Sequence, residues 1–314
     1  MKLALVIRDS IDLKQAMGSR FHTEAVILKA FCQAVGDIFI AEVRVEHVAA
    51  YLAGRGPVTR FWHRKASALQ GLYRFAIGRG YVGCSPLPPT PPTPQSVFTP
   101  YIYAPEELQR LLQGAEAGAS PWATLSATTV RTLLLLLYGA ALRISEALAL
   151  TLADVDMAAS LLTIRTSKFY KTRWVPIGPR LCATLAAYAC ERPPSLLLQT
   201  PDAPFFLTRR GAPVTRQQAE RAFRRVCTQA EVCRNDSTRY QPRLHDLRHT
   251  SAVHRLVAWY QEGADVQRRL PHLATYLGHV HIAATQGYLT MTPALLHAAS
   301  LRFERYAHPE VPHG

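Results

Sequence analysis

Two imidazoles and a guanidinium fall within five residues in Leu244-His245-Asp246-Leu247-Arg248-His249-Thr250. Leu244, Leu247, Ala252, Leu256 and Val257 recur at roughly helical spacing, so the stretch reads as the start of a helix. His245 lies three residues before Arg248 and four before His249, so each pair shares a face. A rigid face with one titrating group and one permanent fork of donors suits a phosphate. The bland alternative is a basic turn on a solvated surface. A zinc site is a third reading, since histidines four apart can ligate one ion. Asp246 stands where a metalloprotease helix carries glutamate, and Arg248 would set a cation beside the metal, so no metal is expected.

Other groups could serve the same chemistry. A long apolar helix is expected over 129–142, followed by Arg143-Ile144-Ser145-Glu146, with Ser145 placed to cap a new helix. An arginine at the edge of so apolar a segment needs an anion, which is either a ligand or Glu146. Leu161–Thr166 and Arg173–Ile177 read as strands of a hairpin whose tip carries Lys168 and Lys171. A lysine there reaches into a groove or is simply solvated. Gly278 marks a helix end, which places His279 just beyond it. Tyr288 follows nine residues later, and a last helix is expected over 293–306.

The elements that must position these groups are mostly helical. Residues 1 to about 85 read as helices, among them Thr23–Phe31 with Thr23 as a cap, Val45–Leu52, and about Val58–Phe75. No acidic residue lies between Glu46 and Glu106, a window that holds Arg55, Arg60, Arg64, Lys65, Arg74 and Arg79. A one-signed stretch with interleaved aromatics, Arg60-Phe61-Trp62-His63-Arg64-Lys65, is what a helix tracking a DNA backbone needs. Arg60, Arg64, Lys65 and Arg74 are therefore the candidate DNA-binding residues. The alternative is a solvated helix whose aromatics belong to the core. Ser85-Pro86-Leu87-Pro88-Pro89-Thr90-Pro91-Pro92-Thr93-Pro94-Gln95 is too proline-dense for a helix and marks a domain boundary. Beyond it, Pro105 fits a first helical position with Glu106 and Glu107 in the first turn, the helix running to about Leu112. Further helices are expected at about Arg180–Cys190 and Thr215–Gln229.

Charge narrows the partner. The chain has 314 residues, a formal net charge of +14 and 48% hydrophobic residues, so it is a folded protein suited to an anionic partner. The longest apolar run is too short to span a bilayer, and the N-terminal apolar patch is cut by charges, so no membrane partner and no export signal are expected. The six cysteines show no Cys-x-x-Cys pair, which suits reduced, buried thiols and a cytoplasmic protein.

Four segments, taken in order, resemble the tyrosine recombinase (phage integrase) family. They are Ala141-Leu142-Arg143-Ile144-Ser145-Glu146, Thr166-Ser167-Lys168-Phe169, Leu244-His245-Asp246-Leu247-Arg248-His249, and Leu277-Gly278-His279 with Tyr288 downstream. The match covers about residues 100–300, and Ala68–Ala76 resembles the family's core-binding domain more loosely. The resemblance implies a mainly α fold with a small β-hairpin sheet, in the two-domain tyrosine recombinase architecture. A helical core-binding domain would span 1–85, a Pro-rich linker 86–100, and a mixed α/β catalytic domain with a C-terminal helix 101–314.

The implied reaction is site-specific DNA recombination through a 3′-phosphotyrosyl intermediate, with Tyr288 as nucleophile. Arg143 and Arg248 would hold the non-bridging oxygens, and His245 would assist proton transfer near Tyr288. His279 would donate to a phosphate oxygen, and Lys168 would protonate the departing 5′ oxygen. His249 and His281 match no catalytic role and are expected to be structural. Phe169-Tyr170 departs from the family's usual small residues at the hairpin. No metal and no ATP, hence no cofactor, is implied. The partners implied are double-stranded DNA and further copies of the chain, as a homo-tetramer on paired sites. Two alternatives share parts of this pattern: DNA relaxation of the type IB topoisomerase kind, and a DNA-binding protein without catalysis. The small N-terminal helical domain argues against the first, and the six filled positions against the second.

Overall fold

The computed structural model describes residues 1–19, 21–53, 58–88, 99–117, 123–165, 172–192, 200–236, 240–279, 281–290, 296–297 and 300–301. The chain divides into two compact units, Met1–Phe98 and Thr99–Gly314. Most of the proline-rich stretch, the hairpin tip with Lys168 and Lys171, and most of 293–306 lie outside the described residues.

The first unit is built from α1 (Leu3–Ala16), α2 (His22–Val35), α3 (Val45–Leu52) and α4 (Arg60–Gly78). Each helix turns one apolar face inward: Leu3 and Val6 from α1, Leu28 and Phe31 from α2, Val48 from α3, and Leu69, Leu72 and Tyr73 from α4 form one core. Thr59 caps α4 by accepting from the Trp62 N–H at 3.2 Å. Thr23 does not cap α2, because the helix starts two residues earlier, from Phe21 in the left-handed region at φ 43°.

The second unit is organised around α6 (Ala127–Gly139), whose residues are buried nearly all round, from Val130 through Leu133 and Leu134 to Leu136 and Leu137. It is packed by α5 (Pro105–Ala117), α8 (Pro179–Glu191), α9 (Arg216–Gln229) and α10 (Leu244–Gln261). The expected 129–142 helix stops three residues early. Ala141 turns into the left-handed region at φ 50°, unusual for a residue with a Cβ, and its carbonyl is held there by Arg248 at 2.6 Å. The short helix α7 (Ile144–Leu148) then starts from Arg143 as N-cap, not from a Ser145 cap. The reason is Glu146, whose carboxylate reaches back to accept from the Arg143 N–H at 3.0 Å.

Three short antiparallel strands follow, β1 (Val155–Asp156), β2 (Leu161–Ile164) and β3 (Arg173–Pro176), in the order β1-β2-β3. β1 has only two residues and carries too little pattern to be expected. Leu162 faces Val175 and Ile164 faces Arg173 across the β2–β3 ladder, which aims Arg173 towards the same region as Arg143. α11 (Val266–Leu277) ends on Gly278 at φ 67°, as the glycine signal predicts, and α12 (Ala283–Gln286) leads into a 3-10 turn, Gly287–Thr290. Of the six free cysteines only Cys227 is buried, whereas Cys84, Cys190 and Cys233 are exposed. Burial of the cysteines as a set is thus not what the fold shows. Among the described residues no helix is long and apolar enough to cross a membrane.

Candidate active site

The second unit brings Arg143, His245, Arg248, His279 and Tyr288 to one place, from segments as far apart in sequence as α7 and the last 3-10 turn. Lys168, the sixth expected residue, lies outside the described residues.

A carboxylate organises the cations. Glu146 accepts from Arg143 Nη1 at 2.6 Å, and from Arg173 Nη1 at 3.1 Å and Nη2 at 2.8 Å. Arg248 Nη1 stands 3.9 Å from the same carboxylate. Burial alone would raise the Glu146 pKa, but the hydrogen bonds and charges of Arg173 and Arg143 outweigh it and hold the group down at about 2. Three guanidiniums around one carboxylate leave a net positive site, which is short of one or more negative charges. Arg143 donates a second bond to the Gly278 carbonyl at 3.1 Å, leaving other N–H groups of its fork to meet an anion. Glu146 is thus a structural partner of Arg143 without exhausting it.

Arg248 is the largest fully buried side chain described, at 1% exposure. Its Nη1 donates to the Ala141 carbonyl and its Nη2 to the Leu277 carbonyl, so one guanidinium ties the end of α6 to the end of α11. Burial and the neighbouring Arg143 pull its pKa down to about 10, still high enough to stay charged at neutral pH. Gly278 completes the clamp. Its backbone is left-handed, and a Cβ there would sit 2.8 Å from the Arg173 guanidinium carbon, so a larger residue would be strained and would push Arg173 from its place.

Tyr288 lies against this clamp at 2% exposure. Its ring stacks on His279 with centroids 6.0 Å apart and planes 22° apart. His279 in turn shares a hydrogen bond of 2.8 Å between Nδ1 and the buried Thr285 hydroxyl. Burial raises the Tyr288 pKa, and the charges of Arg248 and Arg143 work against that rise. The phenolic oxygen is 3.1 Å from His249 Nδ1. His249 therefore lies at the Tyr288 hydroxyl. His245 packs edge-on against His249, with ring centroids 4.8 Å apart. The one signal for His249 in the sequence is its four-residue spacing from His245, which invited the zinc reading. Among the described residues no cluster of three or more metal-ligating groups exists. His281, also expected to be structural, is exposed. A second tyrosine of this unit, Tyr276, points its hydroxyl at the Gly139 and Pro176 carbonyls, each 3.4 Å away.

Two predictions follow from these charges. Removing the carboxylate in Glu146→Ala leaves three buried or half-buried guanidiniums without their counterion, and the fold should lose about 3–5 kcal/mol in denaturant unfolding. An unchanged unfolding midpoint would contradict that role. The second concerns pH. Burial comes first, and Arg248 contributes for each, in lowering His245, His249 and His279 from 6.5 to about 4. These imidazoles bind protons less readily in the folded chain than in the unfolded one, so stability is full above about 6.5 and falls as the pH drops towards about 4. Glu146 extends the loss in the same direction, between 4.5 and about 2. Thermal melts of the full chain should show a lower midpoint at about pH 5 than at about pH 7; equal midpoints would contradict the burial of these rings.

The first unit carries the other candidates. At about 3.6 residues per turn, Arg60, Arg64 and Arg74 fall within an arc of about 80° on α4, whereas Lys65 lies about 140° from Arg60. Lys65 is occupied elsewhere: its ammonium donates to the Tyr51 carbonyl at 3.0 Å and sits 4.3 Å from the Tyr51 ring centre. Arg64 pairs with Glu24 of α2 at 3.0 Å, so an acid does reach this basic stretch, from 40 residues away. Both partners remain partly exposed, and such a pair contributes little to stability.

The phage integrase family description matches residues 103–294. Putative integrase/recombinase y4rB of Sinorhizobium fredii is 39% identical over 214 residues, covering 66% of each chain. Putative integrase/recombinase y4rE of the same organism is 31% identical over 293 residues, covering 93% of each chain. Among solved structures, a Tn1549 transposon integrase fragment in complex with transposon right end DNA superposes with a TM-score of 0.72 at 15% identity, over 98% of this chain and 100% of that one. At that identity the likeness is one of fold. With a family match over more than half its length and a relative alike almost end to end, the chain belongs to the phage integrase family, the tyrosine recombinases.

Proposed function

We propose that the chain is a site-specific DNA recombinase that cleaves and rejoins DNA through a 3′-phosphotyrosyl bond to Tyr288. The observation that carries this reading is the placement of the Tyr288 hydroxyl, on an imidazole and beside two guanidiniums whose shared carboxylate does not neutralise them. A phenol of pKa about 10 is ionised in roughly one part in a thousand at neutral pH, a cost of about 4 kcal/mol. A phosphodiester held on Arg143 and Arg248 brings phosphorus to the hydroxyl and spreads the charge that develops on the non-bridging oxygens. The Tyr288 oxygen forms a bond to phosphorus as the bond to the 5′ oxygen breaks. The 5′ oxygen leaves with a proton from Lys168, and His279 donates to a phosphate oxygen. The reverse reaction, with another strand's 5′-hydroxyl as nucleophile, rejoins the DNA. The energy of the broken bond is kept in the phosphotyrosine, so the scheme needs no ATP.

The basic arc of Arg60, Arg64 and Arg74 is assigned to backbone phosphates of the duplex, the first unit acting as the core-binding domain, with Lys65 held off the arc by Tyr51. Recombination of two duplexes requires four cleavages, which supports a homo-tetramer on paired sites, working in the cytoplasm. The test is a nicked duplex built from DNA flanking the encoding gene, in which the short cleaved fragment diffuses away and prevents rejoining. A covalent protein–DNA adduct is expected on the fragment that carries the site. If no such duplex gives an adduct while the protein still binds it, the reading as a binding protein without catalysis replaces this one.

A further inference from the structure

We infer that His249 is the group that accepts the Tyr288 proton during strand cleavage and returns it during rejoining. This inference rests on the recombinase reading above and adds a residue to it. Nδ1 of His249 is 3.1 Å from the phenolic oxygen, within direct transfer distance, and the two rings are tilted against each other with centroids 5.5 Å apart. In the neutral tautomer that carries its hydrogen on Nε2, the Nδ1 lone pair faces the phenol. His245 packs edge-on against His249, with ring centroids 4.8 Å apart, and the hydrogen bond to the phenol is made by His249. Fixed on the second turn of α10, one residue after the buried Arg248, His249 has the rigid placement that proton transfer requires.

The step balances without a further reactant. The Tyr288 O–H bond breaks and its proton goes to Nδ1, giving an imidazolium. The oxygen's electron pair forms the bond to phosphorus, and the P–O5′ electron pair leaves with the 5′ oxygen. Rejoining runs the same transfers backwards. The groups facing His249 set when this can happen. They are His245 and Arg248 on α10, Arg243 at its N-cap, His279 beyond α11, and Tyr288 itself. Burial first, and then the positive charges of Arg248 and Arg243, disfavour an imidazolium here. A phosphodiester bound on Arg248 and Arg143 supplies the negative charge that this site lacks and makes the imidazolium easier to form. Proton acceptance is thereby coupled to DNA being in place, and the free protein keeps its tyrosine protonated.

His249→Asn tests this. An asparagine amide occupies roughly the place of Nδ1 and can accept the phenol's hydrogen bond, but cannot take its proton. Adduct formation on the nicked duplex is expected to fall at least about 100-fold near neutral pH with DNA affinity retained, and to recover as the pH rises towards the phenol's own ionisation. A duplex with sulfur replacing the bridging 5′ oxygen has a leaving group that needs no acid. It should therefore not rescue His249→Asn. His249→Gln, whose amide reaches past that point, provides a second variant should the first fail to fold. Wild-type rate in either folded variant across the pH range, or full rescue by the sulfur-bridged duplex, would overturn the inference. Failure of the unaltered protein to form any adduct would instead overturn the recombinase reading beneath it.

Discussion

Tyr288→Phe should abolish the covalent adduct while leaving the protein folded and able to bind DNA. The substitution removes one oxygen. That oxygen has a hydrogen bond to His249, worth about 1 kcal/mol net, and the ring keeps its stack on His279 and its place among Leu270, Leu273 and Leu277. Melting and DNA affinity should therefore change little. Chemistry has no such tolerance, because a phenyl ring has no atom to attack phosphorus. The control is Tyr276→Phe, whose hydroxyl meets only backbone carbonyls at 3.4 Å; it should retain the adduct. Single-turnover trapping on the nicked duplex reads both. An adduct from Tyr288→Phe, or its loss in Tyr276→Phe alone, would move the nucleophile elsewhere.

Arg248 carries the second large effect, and its two duties can be separated. Arg248→Ala removes a charge from the phosphate site and also leaves the Ala141 and Leu277 carbonyls without a donor in a buried place. Each orphaned carbonyl costs about 1–3 kcal/mol, so the variant should be several kcal/mol less stable as well as inactive. Arg248→Lys is the more informative change. It keeps the charge, but an ammonium is a single point and cannot bridge both carbonyls and a phosphate as the planar fork does. Cleavage should fall by about 100-fold to 1,000-fold, the loss typical of removing one preorganised donor from a transition state. The melting midpoint of Arg248→Lys should fall less than that of Arg248→Ala. Equal cleavage by Arg248→Lys and the unaltered protein would show that Arg248 is only a brace.

The pattern of what the sequence revealed follows the range of the interactions. Local signals were legible. The helix Val45–Leu52 has the bounds its periodicity predicts, the glycine at 278 ends α11, and Arg143 lies at the edge of the apolar α6 with Glu146 as its anion. The family resemblance named five residues that the fold brings to one place, although they are spread over the chain from position 143 to position 288. Contacts across elements were not legible. Arg173 looked like an ordinary strand residue, yet it shares Glu146 with Arg143 because Ile164 faces it across the ladder and turns it to that side. Glu24 neutralises Arg64 only because α2 packs on α4, so a charge count along one helix overstated its bare positive charge. α6 ends early for a tertiary reason, the pull of Arg248 on the Ala141 carbonyl, which no helix propensity encodes. His249 matches no family role. Its partner, the Tyr288 hydroxyl, lies 39 positions away and meets it only once α10 and the last 3-10 turn are packed together.

DNA should become joined to this chain through the Tyr288 oxygen and a 3′-phosphate. Trapping the adduct on a nicked duplex, digesting both polymers and sequencing the modified peptide by mass spectrometry tests it most directly. The expected product is a nucleotide attached through its 3′-phosphate to the peptide that contains Tyr288, with the opposite DNA end bearing a free 5′-hydroxyl. A nucleotide on any other residue, or one attached through its 5′-phosphate, would contradict it.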